Sequence, residues 1–166
     1  MRKIGIKELS LEAFRPYGTF ANMINPDAVK IGAEPVEFFR DMAPLDLGCA
    51  AAASFSVCRV LERPLVIDAT EYHNRCAEGI LPLDCDVLIH VGPASPPAEP
   101  IPLGRFEVFR VPRGTFVSLR AGVWHHAPFA WKGRLANVLI VLPERTYAVD
   151  CMAISLASGD RIEILP

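Results

Sequence analysis

Long apolar runs, basic clusters and paired cysteines are all missing from this chain of 166 residues. No stretch approaches the roughly 20 consecutive apolar residues that a membrane-spanning helix requires. The N-terminus, Met1-Arg2-Lys3-Ile4-Gly5-Ile6-Lys7, carries no apolar leader segment. A membrane is therefore excluded as a partner and a cytoplasmic location is the expectation. Lys and Arg number 17 against 19 Asp and Glu, for a net charge of −2, and none of the cations form a run. Nucleic acid is excluded as the main partner on that ground, because phosphate binding needs clustered cations. Cysteine is present at five positions, Cys49, Cys58, Cys76, Cys85 and Cys151, an odd number with no C-x-x-C pair. That excludes a zinc ribbon or a dithiol redox motif and leaves buried free thiols as the expected state. Cys76, between His73 and Glu78, is the one placed to act as a thiolate ligand or nucleophile.

What remains is the composition of an ordinary globular protein, 51% hydrophobic and 22% charged, of a size to form a single domain over residues 1–166. Fifteen prolines and eleven glycines cut the chain into short segments, the punctuation of an all-β fold. One early helix is expected, with Ser10 capping Leu11-Glu12-Ala13-Phe14 and Pro16 with Gly18 ending it. Strands are expected at Val36–Phe39, at Ala53–Val60 with Phe55 and Val57 on one face, and at Pro64–Ile67. Asp86–Val91 and Val138–Leu142 are near-continuous apolar runs suited to strands covered on both faces. Phe106–Val111 and Thr115–Leu119 flank a turn at Pro112-Arg113-Gly114. Cys151–Leu156 and Arg161–Leu165 are expected to pair across Ser158-Gly159-Asp160. Gly92–Pro102 is proline-dense and reads as an exposed loop. Many short strands without alternating long helices imply a sandwich, jelly roll or small barrel with one or two short helices.

Histidine and tryptophan are scarce, four and two in the whole chain, yet half of the histidines and both tryptophans fall within Gly122–Trp131. Such a concentration on one loop points to a small-molecule site. A second cluster, Glu71-Tyr72-His73 with Glu78, lies about fifty residues upstream. Glu71 and His73 are two apart and share a strand face; Glu78 reaches them if Asn74-Arg75 supplies a turn. With His125 from the distant loop, these carboxylates and imidazoles suit a divalent first-row metal, nickel, manganese or zinc among them. His125 and His126 point oppositely on an extended strand, so both reach the site only where the loop bends. Tyr72 points away from the cluster. His90, Trp124 and Trp131 are expected to pack.

The spacing resembles the cupin motifs H-x-H-x(3,4)-E and P-x-G-x-x-H, with Glu71 in place of the first histidine and Arg120 in place of the proline of Arg120-Ala121-Gly122-Val123-Trp124-His125. More specifically, the chain resembles the ureidoglycolate lyase family. The resemblance rests on Leu11–Gly18, Pro64–Ile67, Glu71-Tyr72-His73 and Ile80-Leu81-Pro82, and above all on Val123-Trp124-His125-His126 and Phe129-Ala130-Trp131. It departs at Glu78, where that family usually has Gln. The resemblance implies a homodimeric cupin barrel that cleaves ureidoglycolate to glyoxylate and urea in allantoin and purine breakdown. Its metal would be held by His73, Glu78, His125 and Glu71, and its catalytic set would be His126, Glu78 and Arg120. His126 would shuttle a proton, and Arg120 or Arg75 would pair with the substrate carboxylate. Another metal-dependent cupin acting on a small hydroxy or keto acid, or a non-catalytic cupin binding such an acid, would use the same residues.

Overall fold

A computed structural model describes residues 1–166. In chain order the strands are β1 (Arg2–Glu8), β2 (Gly18–Asn22), β3 (Lys30–Ala33), β4 (Val36–Phe39), β5 (Ala53–Leu61), β6 (Val66–Ile67), β7 (Ala69–Tyr72), β8 (Glu78–Pro82), β9 (Val87–Val91), β10 (Glu107–Val111), β11 (Thr115–Leu119), β12 (Phe129–Ala130), β13 (Leu135–Pro143), β14 (Met152–Ser155) and β15 (Ile162–Leu165). Two single-turn helices, α1 (Leu11–Phe14) and α2 (Thr146–Val149), interrupt them. The expected cap is in place: Ala13 N donates to Ser10 Oγ at 3.2 Å.

One sheet has the order β2-β11-β8-β13-β5 and the other β12-β9-β10-β1-β15-β6. They face each other as a jelly-roll barrel. Between them Ile80, Val117, Leu119, Val138 and Ile140 meet Val87, Ile89, Val91, Phe109 and Val111 in one core. Phe14 and Tyr17 plug it, their rings edge to face with Phe109 at 5.2 and 6.1 Å. A second core lies on the opposite face of β9 and β10, where Leu88, Phe106 and Val108 meet Tyr72, Trp124, Phe129, Ile162 and Ile164. Every residue of β9 is therefore buried, as its near-continuous apolar run predicts. Alternate side chains enter different cores, and each fully buried Leu, Ile or Val contributes about 1.5–3 kcal/mol.

Two expectations are corrected. Cys151–Leu156 and Arg161–Leu165 do not pair with each other. β14 pairs antiparallel with β7, while β15 runs parallel to β1 and antiparallel to β6. Burial decides this: parallel pairing with β1 seats Ile162 and Ile164, both almost fully buried, in the second core beside Ile4 and Ile6. The cysteines are all free, but only Cys76 is buried and Cys49 is exposed. The hairpin of β3 and β4, turning at the cis Glu34–Pro35 bond, pairs with neither large sheet.

Candidate metal centre

The two sequence clusters converge because the chain pairs them. Glu71 N donates to the carbonyl of His125 at 2.5 Å and His125 N to that of Glu71 at 2.8 Å, so the two residues lie directly opposite each other with side chains on one face. Gly122 opens this segment with φ +79°, a left-handed conformation that favours glycine, and its N–H donates to the carbonyl of His73 at 2.6 Å. His73 lies two residues beyond Glu71 and emerges on the same side. Tyr72 and Trp124, the alternating residues, turn into the second core and meet edge to face at 4.5 Å.

Glu78 arrives through the expected turn at Asn74-Arg75. The Asp150 carboxylate holds that turn, accepting from Asn74 N at 3.1 Å and Arg75 N at 2.7 Å. Glu78 then opens β8 and points inward with Ile80. Its Oε2 lies 3.1 Å from His73 Nε2 and 2.9 Å from His125 Nε2. All three residues are buried. The Glu71 carboxylate is half-buried, and its donor atom lies within 4.8 Å of those of His73 and His125. The Cys151 thiol donates to Glu71 Oε2 at 3.3 Å.

The outer ring nitrogens decide what this cluster fits. His73 Nδ1 donates to the carbonyl of Asp150 at 2.7 Å, and His125 Nδ1 to that of Val123 at 2.8 Å. A carbonyl only accepts, so both Nδ1 atoms carry protons and both neutral rings present bare Nε2 lone pairs to the same carboxylate oxygen. That arrangement is satisfied by extra protons or by a divalent cation. Backbone-anchored imidazoles with free Nε2 atoms beside a carboxylate are the usual donor set of metal-ligating histidines. Glu78 Oε2 lies about 3 Å from each Nε2, close to the spacing of neighbouring donors that share one ion at about 2.0–2.2 Å. The residues therefore fit a divalent metal. Without it, burial opposes charge on all three groups, yet they stabilise one another. The hydrogen bond and charge of Glu78 raise both histidines, and the two imidazoles outweigh desolvation to hold Glu78 at about 2.

The other expected site residues are spread more widely. His126, next to His125, is half-buried and makes no hydrogen bond within the chain. Arg120 is exposed and donates to the carbonyl of Arg15; it lines a surface depression with Gly18, Thr19, Asp46 and Ala77 and is not drawn into the histidine cluster. Arg75 is exposed on the Asp150 turn. Cys76 packs in the first core. His90 is buried in the second, stacked on Phe106 at 5.6 Å, and desolvation keeps it neutral. Its Nε2 donates to Thr70 Oγ1 at 3.3 Å, and Thr70 in turn donates to the carbonyl of His125 at 3.2 Å.

Sequence reasoning missed three contributors. Asp150, distant in sequence, anchors both His73 and its turn. Tyr147, largely exposed, places its ring 6.3 Å from that of His73, where partial desolvation and then the charges of Glu78 and Glu71 push its hydroxyl up to about 12. Arg63 is half-buried, donates to the carbonyls of Ala127 and Pro128 at 2.9 and 3.2 Å, and lies 3.8 Å over the Phe129 ring. Its charge acts on Cys58 and His90, which also feel Glu78 and His125 respectively. Nothing local distinguishes Arg63 or Asp150 from the other charged residues.

The profile of the ureidoglycolate lyase family matches residues 1–163. The chain belongs to the ureidoglycolate lyase family. Among its relatives is the ureidoglycolate lyase of Rhodobacter capsulatus, 31% identical over 143 residues that span 83% of this chain and 86% of that protein. The ureidoglycolate lyase of Stutzerimonas stutzeri is 29% identical over 130 residues, 76% of this chain and 75% of that protein. Among solved structures, a dTDP sugar isomerase from Desulfovibrio desulfuricans G20 superposes with a TM-score of 0.56 at 13% identity, covering 87% of this chain and 89% of that one. That likeness is one of fold, the cupin barrel. No helix is long and apolar enough to cross a membrane.

Proposed function

We propose that this protein is a ureidoglycolate lyase, releasing glyoxylate and urea in allantoin and purine breakdown as a metal-dependent homodimer. The observation that carries the reading is the buried His73, Glu78 and His125 cluster lying inside a family match that spans almost the whole chain. The substrate class is a small hydroxy acid whose reacting carbon bears a hydroxyl, a carboxylate and a ureido nitrogen. The hydroxyl gives up its proton, its C–O bond becomes the carbonyl of glyoxylate, and the C–N bond breaks with its electron pair on nitrogen. The departing nitrogen takes up a proton and leaves as urea. No water is consumed, so the reaction is an elimination.

His73, His125 and Glu78 hold the metal in this reading, with Glu71 as a fourth ligand or as the acceptor that orients its neighbours. A bound divalent ion lowers the pKa of a hydroxyl coordinated to it. His126 is assigned the proton transfer, as the neighbour of the ligand His125 whose half-buried ring makes no hydrogen bond within the chain. Arg63, rather than Arg120, whose guanidinium donates to the carbonyl of Arg15, is assigned the substrate carboxylate. Its guanidinium is fixed by two backbone carbonyls and the Phe129 ring and forms no salt bridge within the chain, Asp68 acting on it only from beyond contact distance, which leaves donor edges for a bidentate pair. Glu78 stays ionised throughout the physiological range, giving the ion an anionic ligand where the family usually offers a neutral amide. That observation favours the one competing reading, a related small hydroxy or keto acid as substrate.

The test is release of glyoxylate and urea from ureidoglycolate by protein stripped of metal and resupplied with single divalent ions. Equal, metal-dependent release of both products supports the lyase. Tight metal binding without turnover moves the assignment to another small acid.

A further inference from the structure

The β3–β4 hairpin is amphipathic, and its apolar side joins neither core. Ile31 pairs directly with Phe38 and Ala33 with Val36, so these four side chains share one face, and Val29 extends it. The opposite face carries Lys30 and Glu37, joined at 2.5 Å, with the partly buried Phe39 directly across from Lys30. The pattern is that of a hairpin with a buried side, yet Val29, Ile31, Val36 and Phe38 are 53–74% exposed and none joins either core. An isolated two-stranded hairpin is marginal in water; this one needs a cover that its own chain does not provide.

A second apolar surface is equally bare. β5 is an edge strand, and its outward residues Phe55, Val57 and Leu61 are 59–69% exposed. Across the ladder Val57 faces Leu139 and Leu61 faces Leu135. The stripe is interrupted only by Arg59, which donates to Asn137 at 3.0 Å. Such an edge invites pairing unless it is covered. At their observed exposures, the hairpin face and the stripe together offer roughly 800 Å² of apolar surface per copy. That is about what a standard specific interface takes from each partner.

We infer that the occupant of each surface is the other one on a second copy of this chain: the apolar face of the β3–β4 hairpin of one protomer lies on the β5 stripe of its partner, and reciprocally. A two-fold dimer makes both contacts at once, because an isologous interface uses each patch twice. The inference rests on the homodimer in the functional reading above and specifies where it is built.

Sedimentation equilibrium on the full chain tests it, with Phe38→Glu in the hairpin, Phe55→Lys in the stripe, and the two combined. Both positions are exposed, so the barrel should fold in each variant, checked by circular dichroism; Val36→Glu and Val57→Lys replace any that does not. The expected result is a dimer at micromolar concentration for the unaltered protein, weakened at least 100-fold by either single substitution. In the double variant the new carboxylate meets the new ammonium across the interface, and at least tenfold of the affinity returns. An unaltered protein that is monomeric overturns this inference together with the homodimer. A dimer indifferent to both single substitutions overturns the inference alone. Loss in both singles without recovery in the double overturns the hairpin-on-stripe pairing in favour of like surfaces meeting.

Discussion

The cluster around Glu78 and the β3–β4 hairpin treat their side chains in opposite ways. Around Glu78, charged and polar groups are buried, and each is matched: two imidazoles to one carboxylate, and each outer ring nitrogen to a backbone carbonyl. On the hairpin, apolar groups are exposed and none is packed into a core. The first region is complete within one chain. The second is half of something. Desolvating a charge without partners costs several kcal/mol, so a buried polar site has to be assembled by the fold itself. Exposed apolar surface costs far less per residue and tolerates waiting for a partner.

That contrast breaks most easily at the cluster. His125→Ala and His73→Ala should each weaken divalent-metal binding by about 100-fold or more, since each removes a ligand and leaves Glu78 buried with half its partners. Isothermal titration with zinc or nickel measures this, and metal content unchanged in both variants would dismantle the site. Asp150→Ala comes next. The carbonyl that anchors His73 survives, but the carboxylate that fixes the 74–75 turn does not, and a drop in metal affinity of roughly tenfold is expected, at the low end for ligand-supporting groups.

Arg63→Gln should leave metal affinity intact and raise KM for a carboxylate substrate about tenfold, the loss of one charge-assisted hydrogen-bond pair. A fall in kcat without a rise in KM would instead assign Arg63 to holding the 127–128 loop. The pH response of the metal-free protein sharpens the contrast further. His73 and His125 are raised by their partners, so their contribution is fully present below the ordinary imidazole range and is lost as pH rises through their folded values. Glu78 is depressed to about 2, so its contribution is present above the ordinary carboxylate range and is lost as pH falls toward that value. Thermal unfolding in chelator should therefore show greatest stability between roughly pH 5 and 6.5, with added metal flattening the alkaline limb. A curve unchanged by metal would separate the cluster from folding stability. The smallest effect is expected on the polar side of the hairpin: Lys30→Ala, which removes a partly exposed ion pair, should change stability by less than about 0.5 kcal/mol in thermal denaturation.

Much of the fold was legible because it follows from local pattern. The Ser10 cap, the doubly covered β9 and the proline-dense loop after it are consequences of residue chemistry and period. Convergence of Glu71 and His73 was legible from strand alternation, and the turn that brings in Glu78 from Asn74-Arg75. The pairing of β15 with β1 was not, because it joins opposite ends of the chain in parallel and leaves no turn signature. β1 itself, with its charged residues matched across strands by Glu107 and Glu163, looks polar until those partners are known. Arg63 and Asp150 escaped notice for the same reason, their importance being a matter of what they touch.

By itself, then, the sequence determined the all-β architecture, the two clusters able to hold a metal, and the family, since these rest on side-chain period and on residue types at short spacing. Only the tertiary structure decided that Glu78 sits between two histidines whose outer nitrogens are already committed, that Arg120 is committed to the carbonyl of Arg15 while Arg63 is held against the 127–128 loop, and that a hairpin patterned for burial remains uncovered. These are properties of long-range pairing and burial, in which a residue's energy depends on neighbours far away in sequence.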